Sequence, residues 1–302
     1  MKKKLLFIYN PHAGKGKIKN WLSDIVVLFV KNGYEVVIYA TLGKRDAKRI
    51  VMDCLKQEVY EFIVCSGGDG TLNEVVNGIM NSDQRPKIGY IPSGTTNDYA
   101  YSLNVPKNML KAAQLVLNGE VFSYDIGEIN GKYFTYTAAF GLFTDAAYET
   151  PQTSKNMLGR LAYILEGVKR LPYWKSYHME ITSGERTVTD NFIYGMVANS
   201  NSVGGFKGLA GKNVRLDDGQ FEGIFIKVPQ NVLDLQSIIN DLLKGNLNSE
   251  HIFSLPVREI QLKSEEAVPW AIDGEFGGEY QTVTIKNYKQ AIKITSPAKK
   301  GK

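Results

Sequence analysis

The chain has 302 residues, 43% of them hydrophobic and 22% charged, with thirteen Phe and seventeen Tyr. That is enough apolar material for two globular cores, and it excludes a disordered or fibrous chain. The formal charge of +5 suits a protein that meets phosphates or anionic lipid, yet it is too mild to identify a partner.

The opening apolar run at 5–9 is too short for a signal-peptide core and leads straight into Asn10-Pro11, so no targeting segment is expected. Residues 4–10 read as a first buried strand and 17–32 as an amphipathic helix ending at Gly33. A second strand follows at 35–41 and a second helix at 45–57. The third strand is expected at 62–68, the third helix at 71–80 and the fourth strand at 87–93. Strands and helices in this rhythm, joined by turns rich in Gly, Asn and Pro, predict a doubly wound α/β domain with a parallel sheet over residues 1–122.

From about residue 122 the texture changes. Short strand-like runs stand at 121–129, 132–140, 178–182, 187–198, 221–228, 257–263, 281–286 and 291–295. Only 156–171 and 232–243 look helical. An antiparallel β-sandwich over residues 123–287 is expected. The longest strongly apolar run, at 25–30, is far below the ~20 residues of a membrane span, so a cytoplasmic, soluble or peripheral protein is expected. Cys54 and Cys65 stand in no CxxC pair, and His12, His178 and His251 are scattered, which excludes a disulfide framework and a structural zinc site.

Three turns carry chemistry. Asn10-Pro11-His12-Ala13-Gly14-Lys15-Gly16-Lys17 follows the first strand. Its small residues let backbone N–H groups approach phosphate, although it fits neither a Walker A loop nor a Rossmann fingerprint. Ser66-Gly67-Gly68-Asp69-Gly70-Thr71 ends the third strand, at the carboxyl edge where open α/β sheets bind ligands. Asp69 among glycines calls for a cation, which a nucleotide's magnesium would supply. Thr71-Leu72-Asn73-Glu74 fits a capping box. Pro92-Ser93-Gly94-Thr95-Thr96-Asn97-Asp98 brings hydroxyls, an amide and a carboxylate to the same edge. In the second half, Asp273-Gly274-Glu275 offers either a pair of working carboxylates or an Asp-Gly hairpin turn. Asp217-Asp218-Gly219 is either a turn or an oxygen-rich cation corner.

Together these segments resemble the soluble bacterial diacylglycerol kinases and their lipid-kinase relatives, a family akin to sphingosine kinases. The matching stretches are NPHAGK, YAT at 39–41, GGDGTLNEVVNG at 67–78, GTTND at 94–98, YETP at 148–151, RLDDGQF at 215–221 and DGEFGG at 273–278. GGDGT also occurs in NAD kinases and phosphofructokinases, whose nucleotide fold the first domain would share; the combination with NEVVNG, GTTND and a distant DGE is specific. The resemblance implies ATP contacts at Asn10, Pro11, His12, Ala13, Gly14, Thr41, Gly67, Gly68, Asp69, Gly70, Thr71, Leu72, Asn73 and Thr95. It implies Asp273 as the base that activates a lipid hydroxyl, with Glu275 its essential neighbour. Asp69 and Asp98 would support a catalytic Mg2+ through water. A structural Mg2+ would be held by the Asp218 side chain and the main-chain carbonyls of Arg215 and Gln220. The family fold also implies a final strand, at about 288–302, returning to the first domain, and a site between the two domains. The chain departs from its relatives at Ala13, where Ser is common, at Ala100-Tyr101, where a small residue and an Arg are usual, and at Glu166, which replaces a Lys.

The expected acceptor is thus diacylglycerol or a related lipid. Met157, Leu161, Ile164, Leu165, Val168 and Leu171 fall at helical spacing among basic residues and aromatics, suiting peripheral contact with anionic membrane; core packing would give the same stripe. No basic stripe interleaved with aromatics occurs outside 155–175, so no nucleic-acid partner is expected. A homodimer is compatible with the sequence. The alternatives are an NAD kinase-like enzyme, for which no SPTGSTA-like segment is found, and a non-catalytic nucleotide-binding regulator, which would not need the acids it retains.

Overall fold

The structure, a computed structural model, describes residues 3–95, 97–142, 175–199, 202–203, 206–207 and 215–297. The chain forms two compact units, Met1–Ile126 with Lys289–Lys302, and Gly127–Tyr288.

In the first unit β1 (Lys3–Tyr9), β2 (Tyr34–Ala40), β3 (Phe62–Gly67) and β4 (Lys87–Pro92) pair in parallel, in the order β4-β3-β1-β2. The unbroken apolar runs of β1, β3 and β4 are what a sheet covered on both faces requires, and Leu5, Leu6, Phe7, Ile8, Ile63, Val64, Ile88 and Ile91 are buried. Around the sheet lie α1 (Leu22–Lys31), α2 (Asp46–Gln57), α3 (Asp69–Met80), α4 (Asp98–Ser102) and α5 (Met109–Asn118). On α2 the buried positions Ala47, Ile50, Val51, Cys54 and Leu55 follow the helical period. This face packs on α3, at Gly78, where an added Cβ would stand 2.6 Å from that of Val51. The end of the last strand, β15 (Glu275–Ser296), joins β4 in parallel, with Ile294 opposite Ile88.

Local detail departs from the sequence reading at three places. The helix expected from residue 17 starts at Leu22; a 3-10 stretch, Ala13–Asn20, precedes it, and Gly14, Lys15 and Gly16 at φ 52°, 69° and 69° stop any α-helix from running through. The capping box at Thr71 does not form, because α3 begins at Asp69 behind an extended Gly68. Glu74 instead accepts from the amides of Arg45 (2.7 Å) and Ala47 (3.0 Å), so it caps α2 rather than its own helix. Helices α4 and α5 were not legible at all.

The second unit is antiparallel. After β5 (Glu120–Ile129) come β6 (Lys132–Phe134), β7 (Thr137–Gly141), β8 (Tyr177–Ser183) and β9 (Arg186–Ala198). The two-residue pairs β10 (Ser202–Val203) and β11 (Phe206–Lys207) are followed by β12 (Phe221–Lys227), the helix α6 (Val232–Lys244), β13 (Ile252–Val257) and β14 (Glu259–Ile272). The long strands β9 and β14 each pair with β8 near one end and with β7 near the other, so both pass between two layers, as strands do in bent sandwiches. Phe134, Phe140, Phe192, Phe221, Phe225 and Trp270 fill the core between the layers. The run expected at 132–140 is two strands, broken at Thr135 and Tyr136. The run at 257–263 straddles the junction of β13 and β14, and those at 281–286 and 291–295 belong to one strand, β15. The stripe at 157–171, Glu166 and the YETP segment lie outside the described residues.

Candidate active site

The three phosphate-loop candidates occupy the carboxyl ends of β1, β3 and β4, adjacent in the sheet, and they touch. The Asn10 amide donates to the Ser66 carbonyl (2.8 Å), and those of Ser93 and Gly94 donate to the Gly67 carbonyl (2.9 and 3.2 Å). Asn10 Nδ2 reaches Thr71 Oγ1 at 3.4 Å, and the Asn10 carboxamide oxygen accepts from the His12 amide at 2.9 Å. Gly14 lies against the Ser93 carbonyl, and Gly94 lies against Gly68, where an added Cβ on Gly94 would fall 2.6 Å from the Gly68 Cα. The glycines at 14, 67 and 94 are therefore demanded by loop-on-loop and loop-on-helix packing before any ligand is considered. Gly68 is more open, with only the Gly94 Cα at 3.4 Å.

The loop after β4 is held by Asn97, at φ 55°, whose carboxamide accepts from the Gly94 amide (3.0 Å) and donates to the Gly94 carbonyl (2.8 Å). Asp69, the first residue of α3, accepts from the Tyr99 amide at 3.3 Å and so ties that helix to α4. Asp98 opens α4; its side chain lies outside the description, as does Thr96. Thr41 is buried just past β2 and donates its amide to the Tyr9 carbonyl (2.9 Å). Ala13 and Leu72 flank the loops, with Leu72 buried, while Gly70, Thr71 and Asn73 lie in the first turns of α3. Pro11, His12 and Thr95 remain at least partly accessible. The edge thus offers the amides of the first turn of α3, which a helix leaves without internal acceptors. Lys15, Lys17 and Lys19 project into solvent from the first loop. This is a donor set for a polyphosphate.

In the second unit Asp273 and Gly274, at φ 48° and 80°, form the two-residue link between β14 and β15, with Ile272 opposite Glu275. Two positive φ values mark the primed hairpin turn that Asp-Gly favours. Asp273 nevertheless is not a solvated turn residue, being 6% exposed. Its Oδ2 accepts from the amide and the hydroxyl of Thr135, both at 2.7 Å, and its Oδ1 from the amides of Tyr136 and Thr137, both at 3.0 Å. Burial pushes the carboxyl above the usual carboxylate range, against these hydrogen bonds, which pull it down. Glu275 is exposed at the start of β15. The break in the strand expected at 132–140 is the means by which three successive amides turn to face Asp273. Sequence reading missed Thr135, because only a bend in the strand makes it a partner.

Residues 215–220 form a turn in which Asp218 Oδ1 accepts from the Gln220 amide (3.0 Å) and Gly219 stands at φ 85°. Arg215 is exposed, its Nε 3.9 Å from Asp217. Close by, Glu222 carries a buried Oε2 with no partner among the described residues. Burial pushes this carboxyl up to about 8, with the Asp218 charge adding to the effect against its own backbone N–H. A second carboxylate beside Asp218 with an unfilled oxygen fits a hard cation at this corner. Among the described residues no three His, Cys, Asp or Glu side chains are placed to hold a metal ion together. Asp125, fully buried, accepts from the Gln290 amide at 2.6 Å and was not singled out by sequence.

Known proteins match this chain along its whole length. The family described as diacylglycerol kinase catalytic domain matches residues 4–129, and the YegS C-terminal NAD kinase beta sandwich-like domain matches residues 139–295. A diacylglycerol kinase of Bacillus subtilis is 35% identical over 300 residues, covering 99% of this chain and 98% of its own. One from Staphylococcus carnosus is 35% identical over 298 residues, covering 98% and 96%. A crystal structure of a Bacillus anthracis protein superposes with a TM-score of 0.81 at 25% identity, over 98% of this chain and 96% of that one.

Proposed function

Since the chain belongs to the diacylglycerol kinase family and is a lipid kinase, we propose that it transfers the γ-phosphoryl group of ATP to the hydroxyl of diacylglycerol or a closely related lipid, giving a phosphatidate-type product. The observation that carries ATP as donor is the meeting of the 10–14, 67–71 and 93–97 loops on one sheet edge, with helix-end amides beside it and exposed lysines at 15, 17 and 19 in the segment that continues the first loop.

The acceptor oxygen attacks the γ-phosphorus, the bond to the β–γ bridging oxygen breaks, and ADP leaves with that electron pair. Asp273 takes the acceptor's proton. Its desolvated position favours this role, because a raised pKa brings a carboxylate closer to the strength a general base needs. Glu275, exposed two residues further on, orients the hydroxyl. The amides of Gly68 to Thr71 and the nearby lysines hold the phosphates in line, and alignment and charge neutralisation are most of what phosphoryl transfer asks of a protein. Asp69 and Asp98 would hold the magnesium that accompanies ATP, through water, and that ion would offset phosphate charge; the Asp218 side chain with the Arg215 and Gln220 carbonyls would hold a second, structural ion. Contact with anionic membrane through residues 155–175 belongs to the same proposal, and co-sedimentation with vesicles that contain or lack anionic lipid tests it.

The test of function is transfer of labelled phosphate from ATP to a panel of diacylglycerol, other lipid alcohols, sugars and NAD. Labelling of diacylglycerol well above the rest supports the proposal. Labelling of NAD instead would make the chain an NAD kinase, and binding of ATP without transfer to any acceptor would make it a regulator. No helix among the described residues is long and apolar enough to cross a membrane.

A further inference from the structure

A carboxylate that must collect a proton needs a free lone pair, and the four donors that the described residues bring to Asp273 leave it short of one. Each oxygen already accepts two hydrogen bonds, which is close to the capacity of an ionised carboxylate. Three of the donors are the backbone amides of Thr135, Tyr136 and Thr137. They can only donate, and they cannot turn away without moving β6 and β7. The fourth is the hydroxyl of Thr135, a residue 1% exposed. A hydroxyl can donate to an ionised carboxylate and, after rotation about its C–O bond, accept from the protonated acid.

We propose that Thr135 is a positioning residue for proton acceptance, its hydroxyl holding Oδ2 of Asp273 before reaction and reversing its hydrogen bond when the proton arrives there. The inference rests on Asp273 being the base. Before transfer the hydroxyl hydrogen points at Oδ2, fixing the carboxylate's orientation and favouring its charged form. As the acceptor oxygen bonds to phosphorus, its proton passes to Oδ2, and the Thr135 hydrogen swings off. The new O–H of Asp273 then donates to Thr135 Oγ1, so no donor is left facing another donor. The backbone amides keep Oδ1 in place throughout. The proton later leaves to water, which restores the starting arrangement.

The experiment compares full-length wild type, Thr135→Val, Thr135→Ser and Asp273→Asn in lipid phosphorylation, as pH profiles of kcat alongside KM for ATP and thermal unfolding. Valine matches threonine in shape but neither donates nor accepts. Thr135→Val is expected to lower kcat about tenfold, the equivalent of one hydrogen bond to a charged group, with KM for ATP unchanged. Loss of a donor disfavours the ionised form, so the acid limb of the kcat profile should move to higher pH. Thr135→Ser should restore both rate and limb. A Thr135→Val enzyme whose kcat and acid limb match wild type overturns the inference, and so does one whose rate falls with the limb unmoved, or one that serine fails to rescue. Should Asp273→Asn retain wild-type turnover, the base assignment itself fails, and with it the inference.

Discussion

Gly14 faces the carbonyl of Ser93 so closely that a Cβ built on it would sit 1.9 Å from that oxygen. The contact joins the loop after β1 to the loop after β4 through backbone alone, and Gly14 also holds a φ of 52° that an L side chain resists. Gly14→Ala is therefore expected to cost at least ~1–3 kcal/mol of strain and to push the first loop off the phosphate edge. Chemical denaturation and ATP affinity should both register it. An alanine variant with unchanged stability and unchanged ATP binding would show that the two loops do not depend on each other.

Glu74 stabilises a helix other than its own. It accepts from the amides of Arg45 and Ala47 at the start of α2, where unpaired N–H groups otherwise look to water. Glu74→Ala should lower stability by ~1–2 kcal/mol, the usual cost of losing a cap. The loss should be accompanied by faster hydrogen exchange at the Arg45 and Ala47 amides, while exchange in the middle of α3 stays slow. Equal acceleration throughout α3 would count against the assignment.

The parallel sheet, its loops and the change of texture near residue 122 were legible because apolar runs alternate with amphipathic stretches and the glycine turns sit between them. Phe62–Gly67 and Asp46–Gln57 came out within a residue or two for that reason. The misses have specific causes. Nothing local in 13–20 says that three successive residues turn left-handed. Glu74 looked like a capping-box residue because its real partners lie 27 and 29 positions away. At Asp273-Gly274-Glu275 the sequence left a turn and a catalytic pair as alternatives, and the backbone is a turn whose aspartate is buried. The amides that surround it come from residues 136 to 138 positions earlier in the chain, a distance over which periodicity carries no information.

The two thiols offer a clean check on the core of the first unit. Cys54 on α2 and Cys65 on β3 are both buried, and burial pushes both thiols above their ordinary value, Cys65 furthest. Thiolate is the reactive form, so at pH 8 the folded protein should label slowly with an alkylating reagent, at Cys54 before Cys65. In denaturant both should label at the rate of a free cysteine. Rapid labelling of Cys65 in the folded state would contradict the packing of β3.

The corner formed by Asp218 and Glu222 makes a prediction about metal. An ion bound to the folded state alone raises stability by mass action, so magnesium should raise the Tm of the wild-type protein. It should do so much less in Asp218→Asn, with sodium chloride of equal ionic strength as the control. Equal magnesium shifts in both proteins would remove the cation from this corner.

The most direct test of the central claim is the turnover of Asp273→Asn with ATP and diacylglycerol, on protein shown to be folded and to bind ATP as wild type does. If the carboxylate accepts the hydroxyl proton, phosphorylation should fall roughly 10²–10⁴-fold, with nucleotide affinity preserved. Turnover within a few-fold of wild type would contradict the account.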